Sequence, residues 1–279
     1  MRRKHLVAAL ACLLSLNNFT TNAQCFAPQP TISTSGPTTF CSGGSVTLTA
    51  SVQNTNNALF LDGVNDYVDV VPVASVSNLG PTGFTLEAWV KPTTVNSVKS
   101  IIRKTGDYNL FIYNGSLGVE VWPVAGVNST WKQLLGTAAI VPNVWTHVAA
   151  TWDGSVLKMY INGTDISSTS VLTNGTIPDS NERLGIGNSL TYGQPMGGNI
   201  DELRIWNTSR SLAQINSTRF SFVNPSASNL VAYYKFDVGG GTIAVDATGI
   251  GNAGTLTNGA TWLVPSTVPI IYNNFLWSP

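Results

Sequence analysis

The chain has 279 residues, equal numbers of basic and acidic side chains, and only 10% charged residues, against about 25% in an average soluble domain. Its neutrality leaves no electrostatic footprint for nucleic acid, and 9% aromatic residues with recurring apolar runs argue against intrinsic disorder. The length suits one large domain with an extension, and low charge with many Gly, Thr and Val residues favours an extracellular β protein.

The N-terminal segment over 1–23 has the pattern of a secretory signal peptide. Three basic residues precede an apolar run over 6–16, and Ala23 ends a polar segment suited to cleavage. The apolar run is shorter than the roughly 20 residues that span a bilayer; the alternative is an uncleaved anchor. We therefore predict a secreted, extracellular protein with no membrane insertion after cleavage. The mature chain has 11 basic and 14 acidic residues.

Two cysteines remain after cleavage, Cys25 and Cys41, because Cys12 lies in the signal peptide. In an oxidising compartment they form a disulfide with each other, or Cys41 pairs with a partner elsewhere. Two thiols without a neighbouring histidine do not indicate a metal or nucleophilic site.

Short strands separated by turn signals dominate the rest of the chain. The predicted strands are, in chain order, residues 45–52, 84–90, 108–113, 117–122, 146–152, 156–161, 184–187, 199–206 and 230–236. Short strands at this spacing are typical of an all-β sandwich. The one predicted helix covers 211–216, with Ser209 or Ser211 as its N-cap.

The alternation and turn residues of these segments give the prediction its detail. Residues 84–90 place Phe, Leu, Ala and Val on one face and Thr, Glu and Trp on the other, as a strand with one buried face requires. Asn114-Gly115 and Asp153-Gly154 each separate two strand-like runs and therefore predict hairpins.

Six stretches also carry a family signal. They are A-L-F-L-D-G-V-N-D-Y-V-D-V at 58–70, F-T-L-E-A-W-V-K-P at 84–92, W-T-H-V-A-A-T-W-D-G at 145–154, L-K-M-Y-I-N-G at 157–163, L-G-I-G-N at 184–188 and G-N-I-D-E-L-R-I-W-N at 198–207. In order and spacing they resemble the laminin-G-like, concanavalin-A-like family of secreted proteins. The resemblance implies a jelly-roll β-sandwich of two antiparallel sheets over 55–264.

The flanking segments resemble parts of another fold. Residues 24–54, which contain C-S-G-G-S-V-T-L-T-A-S, resemble the start of immunoglobulin-like repeats in large bacterial surface proteins, and Y-N-N-F-L-W-S-P at 272–279 resembles a later strand. The resemblance implies a jelly roll inserted in an immunoglobulin-like domain whose continuation, 265–279, is truncated; the alternative is a disordered tail. The usual partner of Cys41 then lies outside the chain, which leaves Cys41 unpaired or paired to Cys25.

Three aspartates are candidate calcium ligands. Ca²⁺ prefers carboxylate and carbonyl oxygens in loops, and Asp62, Asp201 and Asp246 lie in turn or strand-end motifs rich in Gly and Asn. In sandwiches of the resembled family a structural calcium often links an early loop to an aspartate of a late strand, the position that Asp201 matches. The alternative is that these carboxylates cap turns or pair with Arg204 and Lys235.

Carbohydrate binding is the function that the resemblance implies. Aromatic rings stack on the CH faces of sugars, while Asn, Asp and Gln side chains bind hydroxyl groups. The candidate ligand-binding residues are Trp122, Trp131 and Tyr192; the alternative is that they fill small apolar clusters beside loops. The pentraxin branch binds through paired calcium ions, but only Gln194 matches a pentraxin ligand position here, which argues against that mode.

The acidic residues do not form the catalytic pattern of the glucanases that share this fold. Those enzymes carry E-x-D-x-E on one strand, which sets the carboxylates at the distance for a retaining mechanism, and the sequence has no such segment. Adjacent residues such as Asp201 and Glu202 are expected to point to opposite faces of a strand. His147 lies mid-strand, is expected to be half-buried and is unsuited to a Ser-His-Asp triad. We therefore predict no enzymatic activity.

Together these observations predict a secreted, non-catalytic module at the cell surface that binds carbohydrate or mediates adhesion. Its expected partners are glycans or cell-surface and matrix proteins, and its expected cofactor is a structural calcium ion. The alternatives are a structural spacer or protein-interaction module of a large surface protein, without a small ligand, and a glycoside-active enzyme.

Overall fold

The computed structural model describes residues 30–34, 48–52, 56–71, 74–77, 79, 83–122, 131–168, 177 and 180–270. The chain divides into two units, Met1–Gln53 and Asn54–Pro279. The predicted signal peptide, both candidate disulfide cysteines (Cys25 and Cys41) and the predicted strand at 272–279 lie outside the described residues.

In the first unit, two strands pair antiparallel, β1 (Pro30–Thr34) and β2 (Leu48–Val52). The second strand ends at Val52, as the alternation of the sequence predicts. The first part of the predicted strand, 45–47, lies outside the described residues.

The second unit is nearly all β. Its elements are β3 (Ala58–Asp62), β4 (Tyr67–Val70), α1 (Ala74–Ser77), β5 (Phe84–Pro92), β6 (Val98–Lys104), β7 (Tyr108–Tyr113), β8 (Ser116–Val121), β9 (Lys132–Ala139), β10 (Thr146–Trp152), β11 (Leu157–Ile161), β12 (Thr164–Asp165), β13 (Leu184–Ile186), β14 (Gly197–Trp206), α2 (Leu212–Thr218), β15 (Leu230–Tyr234), β16 (Ile243–Ala244), β17 (Gly254–Thr257) and β18 (Thr261–Leu263). All the strand pairs described are antiparallel.

The described strands of this unit form two eight-stranded sheets. Sheet 1 has the order β12-β11-β10-β5-β14-β3-β18, with β15 also paired to β14, and sheet 2 has the order β16-β17-β4-β13-β6-β7-β8-β9. Most sheet neighbours in sheet 1 are distant in sequence, as in a jelly roll. The structure thus confirms the predicted all-β jelly-roll sandwich of two antiparallel sheets.

The hydrophobic core lies between the two sheets. The predicted alternation of β5 is confirmed, because Phe84, Leu86 and Ala88 belong to the core, whereas Glu87 and Trp89 lie on the other face. Each fully buried large aliphatic or aromatic side chain of this core contributes about 1.5–3 kcal/mol. The outer faces of the two sheets are therefore the surfaces on which function can be sought.

Turn residues set the register of two hairpins. Asn114 and Gly115 adopt φ values of 48° and 86°, as a type I′ turn requires, and join β7 to β8. The second predicted hairpin joins β10 to β11 through a longer loop, because the Asp153 carboxylate accepts hydrogen bonds from the backbone N–H groups of Ser155 and Val156.

Helix α2 begins where the sequence predicts. Ser211 is its N-cap, and the Ser211 and Gln214 side chains each accept from the other residue's backbone N–H in a capping box. Neither α2 nor any other helix in the described part of the chain is both long and apolar enough to span a membrane.

Candidate carbohydrate-binding face

An arginine with two aromatic neighbours marks the outer face of sheet 2. The Arg103 guanidinium, on β6, lies over the ring of Tyr192 (4.5 Å to the centroid) and over the ring of Trp122 (5.2 Å). Cation–π contacts of this kind hold the guanidinium and the rings in one arrangement. The structure therefore brings two of the three predicted ligand-binding aromatics to one place.

A row of polar side chains continues from Arg103 across four neighbouring strands. The registers of β6 to β9 pair each residue of the row with the next one on the neighbouring strand: Arg103 with Asn109, Asn109 with Glu120, and Glu120 with Gln133. Asn109 Nδ2 donates to Glu120 Oε2 (3.1 Å), and Gln133 Nε2 donates to Glu120 Oε1 (3.0 Å). Arg103 Nη1 lies 3.5 Å from Glu120 Oε2. We call these four side chains the polar row.

The loop between β13 and β14 brings Tyr192 and Gln194 onto this face. Gln194 Oε1 accepts from Arg103 Nη1 (3.1 Å) and Ser100 Oγ (2.9 Å), and its backbone N–H donates to Asn188 Oδ1 (2.8 Å). The loop can cross the sheet closely because residue 185 is glycine; a Cβ atom there would lie 2.5 Å from the Asn188 carbonyl oxygen.

Trp131 belongs to the same face. Val121 pairs with Lys132, so the register of β8 and β9, continued by one position, places Trp131 opposite Trp122. Trp131 also lies two positions before Gln133, which puts both side chains on one side of the strand. Trp131 is 50% exposed and Tyr192 is 59% exposed. All three predicted ligand-binding aromatics thus lie on the outer face of sheet 2.

The polar row is buried at Arg103 and Asn109 and half-buried at Glu120 and Gln133. Desolvation lowers the pKa of Arg103, while the charge of Glu120 raises it in part. Asn109 Oδ1 and Arg103 Nε are buried and have no hydrogen-bond partner among the described residues. Glu120 and Gln133, which keep partial exposure beside the rings, are the groups of the row that a ligand rich in hydroxyl groups can reach.

The polar row was not predicted from the sequence, although a signal for part of it was present. Once Asn114-Gly115 fixes the hairpin, residues whose numbers sum to 229 face each other, which pairs Asn109 with Glu120. Both are polar residues at outward positions between apolar ones. Arg103 and Gln133 carry no comparable signal, because their strands follow no tight turn of known register.

The three candidate calcium ligands do not form one group. The exposed Asp62 accepts a hydrogen bond from a backbone N–H (2.7 Å). Both carboxylate oxygens of Asp246 accept from protein donors, including Tyr233 N and Asn252 Nδ2 (both 3.0 Å), so Asp246 does not fit a metal ion. Asp201 Oδ2 is buried without a hydrogen-bond partner among the described residues. Within those residues, no group of three or more His, Cys, Asp or Glu side chains could hold a metal ion.

Asp201 and Glu202 lie on the same side of sheet 1, so the expectation that they point to opposite faces was wrong. Glu202 has a φ of 49° within a β-bulge of β14, and a bulge interrupts the alternation of side chains. Asp201 lies opposite Trp89 on the outer face, where Glu202 Oε2 also accepts from Arg204 Nη2 (2.6 Å). Burial and the charge of Glu202 raise the pKa of Asp201 well above its ordinary value. Both carboxylates are enclosed rather than open to a cleft.

His147 is more buried than expected. It is 1% exposed, and its Nε2 lies 3.7 Å from Glu87 Oε2. Desolvation, reinforced by the charge of Arg204, keeps its pKa well below the ordinary value, so His147 is neutral at pH 7.

A groove lies on the outer face of sheet 1, beside the start of α2. This groove of about 400 Å³ is lined by Thr151, Asp153, Val156, Lys158, Tyr160, Asp165, Ser209, Arg210, Ser211 and Leu212. Its Tyr160 ring is 3% exposed and therefore offers little surface for stacking. The groove lacks the exposed aromatic rings that distinguish the outer face of sheet 2.

Comparison with known proteins agrees with this architecture. A Bacteroides ovatus protein described as a candidate carbohydrate-binding protein is 25% identical and superposes with a TM-score of 0.62, over 84% of this chain and 67% of that one. The heptameric SAP-like pentraxin from Limulus polyphemus is 13% identical with a TM-score of 0.51, over 79% of this chain and all of the other; at that identity the likeness shows the fold alone.

Sequence comparison adds one relative and a family. Pappalysin-1 from Mus musculus is 26% identical over 81 residues, which make up 28% of this chain and only 5% of pappalysin-1. Residues 62–216 match the Laminin_G_3 family of the Concanavalin A-like lectin/glucanases superfamily. Because this match covers more than half of the 279 residues, the chain belongs to that family.

Proposed function

We propose that this chain is a non-catalytic carbohydrate-binding module whose binding surface is the outer face of sheet 2. The observation that carries the proposal is the convergence of the exposed Tyr192 and Trp131 rings with the polar row on a single face. Family membership and the similarity to the Bacteroides ovatus protein support it. Rings stack on sugar CH faces, while the amide and carboxylate groups exchange hydrogen bonds with hydroxyls.

The test is a glycan array probed with the full chain, followed by calorimetric titration of each glycan that binds. Tyr192→Ala should weaken binding at least tenfold without lowering the melting temperature, since Tyr192 is mostly exposed. Phe60→Ala is the matched control, because Phe60 is an exposed aromatic residue (37%) on sheet 1. An array without any binder, with calcium present, would favour a spacer or protein-interaction module instead.

The absence of catalysis is part of the proposal. The acidic pair Asp201 and Glu202 is enclosed, and Glu202 is engaged by Arg204 and Tyr233. A screen for hydrolysis of plant and algal polysaccharides should therefore detect no turnover. Measurable turnover that Glu202→Gln abolishes would overturn this part.

Secretion and a role in adhesion at the cell surface complete the proposal. Both rest on the signal-peptide pattern of residues 1–23 and on glycans as partners. Mass spectrometry of the protein exported by its native host should find an N-terminus at residue 24. An intact N-terminus on the exported protein would contradict cleavage.

We propose a structural calcium ion only at Asp201. Its buried, unpartnered oxygen supports a cation or a proton at that position. If calcium is bound there, a chelator lowers the melting temperature of the wild type but not that of Asp201→Asn. Equal melting temperatures with calcium and with chelator would sink the proposal.

A further inference from the structure

The aromatic rings of the candidate face form a line across the strands. Tyr192 and Trp122 both stack on Arg103 of β6. Trp131 directly precedes β9, and the register of β8 and β9, continued by one position, places it opposite Trp122. Strands β6, β7, β8 and β9 are consecutive neighbours, so the line crosses three strand spacings, about 14 Å. A single sugar ring stacks on only one end of a line of this length.

The polar row and the aromatic line both begin at Arg103, and they lie side by side on β8 and β9. Both cross the same four strands, and Glu120 and Gln133 each lie two positions from an aromatic residue of the line, Trp122 and Trp131 respectively. Two positions along a strand correspond to about 7 Å. A chain of sugars laid across the strands therefore meets rings along one edge and, at β8 and β9, the half-buried Glu120 and Gln133 along the other.

The groups of the row are held before any ligand arrives. Both Glu120 oxygens accept from amides, and Arg103 is fixed by its ring contacts and by Gln194. A surface that loses little side-chain freedom on binding keeps more of its contact energy as affinity. Each added sugar that reaches a further ring should therefore increase the affinity.

We propose that the outer face of sheet 2 binds an internal stretch of a linear glycan, several sugar units long, laid across β6 to β9, rather than a single terminal sugar. This inference rests on the proposed function and adds the ligand class to it. The Arg103–Tyr192 end holds the first unit, and Trp131 holds a distant one.

The experiment measures affinity against chain length. Laminari-, xylo-, manno- and galacto-oligosaccharides, each from monosaccharide to hexasaccharide, are titrated into the full chain by calorimetry. For the series that binds, affinity should rise at least tenfold from the monosaccharide to the longer oligomers and then level off. In Trp131→Ala most of this rise should disappear, whereas Phe60→Ala should keep both the rise and the monosaccharide affinity.

The outcomes separate this inference from the function on which it rests. A monosaccharide bound as tightly as the hexasaccharide overturns the extended-chain inference and leaves carbohydrate binding intact. A length dependence that Trp131→Ala does not change also overturns it. Failure to bind any oligosaccharide or array glycan overturns the proposed function and this inference together.

Discussion

The outer face of each sheet carries an arginine stacked on an aromatic ring, but the two rings differ in their exposure to solvent. On sheet 1 the Arg210 guanidinium lies 4.1 Å from the centroid of Trp206, which is only 5% exposed. On sheet 2 Arg103 lies at a similar distance from Tyr192, which is 59% exposed. An arginine stacked on an aromatic ring is therefore not in itself a binding site, and solvent access to the ring distinguishes the two cases.

The covered face of sheet 1 is closed by polar as well as apolar contacts. Glu87 Oε1 accepts from Arg210 Nη1 and from Trp206 Nε1, both at 2.8 Å, while Arg204 donates to Glu202 and to backbone carbonyls that include Ser221 O. Trp89 forms a hydrophobic cluster with Val268 and Ile270, and Trp145, Phe220 and Phe222 pack against this cluster. Buried charges paired in this way serve the fold, whereas on sheet 2 the Glu120 side chain keeps 14% exposure beside Arg103, which is 5% exposed.

The largest expected effect comes from a substitution that breaks the buried charge network on the outer face of sheet 1. Arg204→Met leaves the Glu202 and Glu87 carboxylates without their shared cation in a fully buried place. We expect a loss of about 3–5 kcal/mol in the free energy of unfolding, measured by urea denaturation at pH 7.

The matched change on sheet 2 should cost much less. In Arg103→Met the Glu120 carboxylate keeps its two amide donors and its partial exposure, so we expect a loss of at most about 2 kcal/mol. Equal losses for the two variants would contradict the distinction between a structural and a ligand-binding arginine.

The burial of His147 on the outer face of sheet 1 makes the free energy of unfolding depend on pH. The pKa of His147 is lowered well below 6.5 in the folded state, mainly by desolvation and then by Arg204. The unfolded chain therefore takes up a proton near pH 6.5 that the folded chain does not. The stability that the folded chain gains from keeping His147 neutral is complete above pH 6.5. It is lost as the pH falls from 6.5 towards the folded-state pKa, by up to about 1.4 kcal/mol of unfolding free energy per pH unit.

The variant His147→Gln should remove this slope. Urea unfolding of both proteins between pH 7.5 and pH 5 should show the wild type losing stability relative to the variant on acidification. The buried Asp201 has a raised pKa and acts in the opposite sense, but it is present in both proteins and cancels in the difference. A difference independent of pH would refute the buried, neutral state of His147.

A glycine on sheet 2 should be required by close packing. A Cβ atom at Gly118 would lie 2.3 Å from the Phe111 ring. We expect Gly118→Ala to lower the free energy of unfolding by about 1–3 kcal/mol. Gly240→Ala is the control, because nothing lies within 4 Å of its Cβ position, and it should be neutral or stabilising by up to about 1 kcal/mol. Equal changes in the free energy of unfolding for the two variants would contradict the close packing of Phe111 against Gly118.

The smallest expected effect concerns the helix that covers part of sheet 1. Ser211→Ala removes the N-cap of α2 and should cost about 1 kcal/mol. Ser217→Ala, within the same helix, removes only a hydroxyl that donates to the Gln214 carbonyl, and it should change thermal stability little. A larger loss from Ser217→Ala would show that the cap is not what holds the helix start.

Sequence reasoning predicted the fold because its signals are local. The alternation of residues 84–90, the Asn114-Gly115 turn and the Ser211 cap each depend on neighbours within a few positions, and each is confirmed. Composition alone also pointed to a β protein. The family motifs then implied the jelly-roll sandwich of two antiparallel sheets.

The candidate site was predicted only in part, since its residues meet through long-range pairing. Trp122, Trp131 and Tyr192 were selected one by one, yet only the sheet register shows that they share a face with Arg103. The bulge at Glu202 likewise carries no local sequence signal. Positions of strands in a sheet and irregularities within a strand are set by tertiary packing, which a single sequence does not display.

The most direct test of the central claim maps a bound glycan onto the two outer faces. Hydrogen–deuterium exchange of the full chain, with and without a glycan identified by the array, should show new protection in β6 to β9 and in the loop that carries Tyr192 and Gln194. Exchange in β10 to β12 and at the start of α2 should stay unchanged. Protection confined to the groove that Lys158 and Asp165 line would contradict the account and place the site on sheet 1.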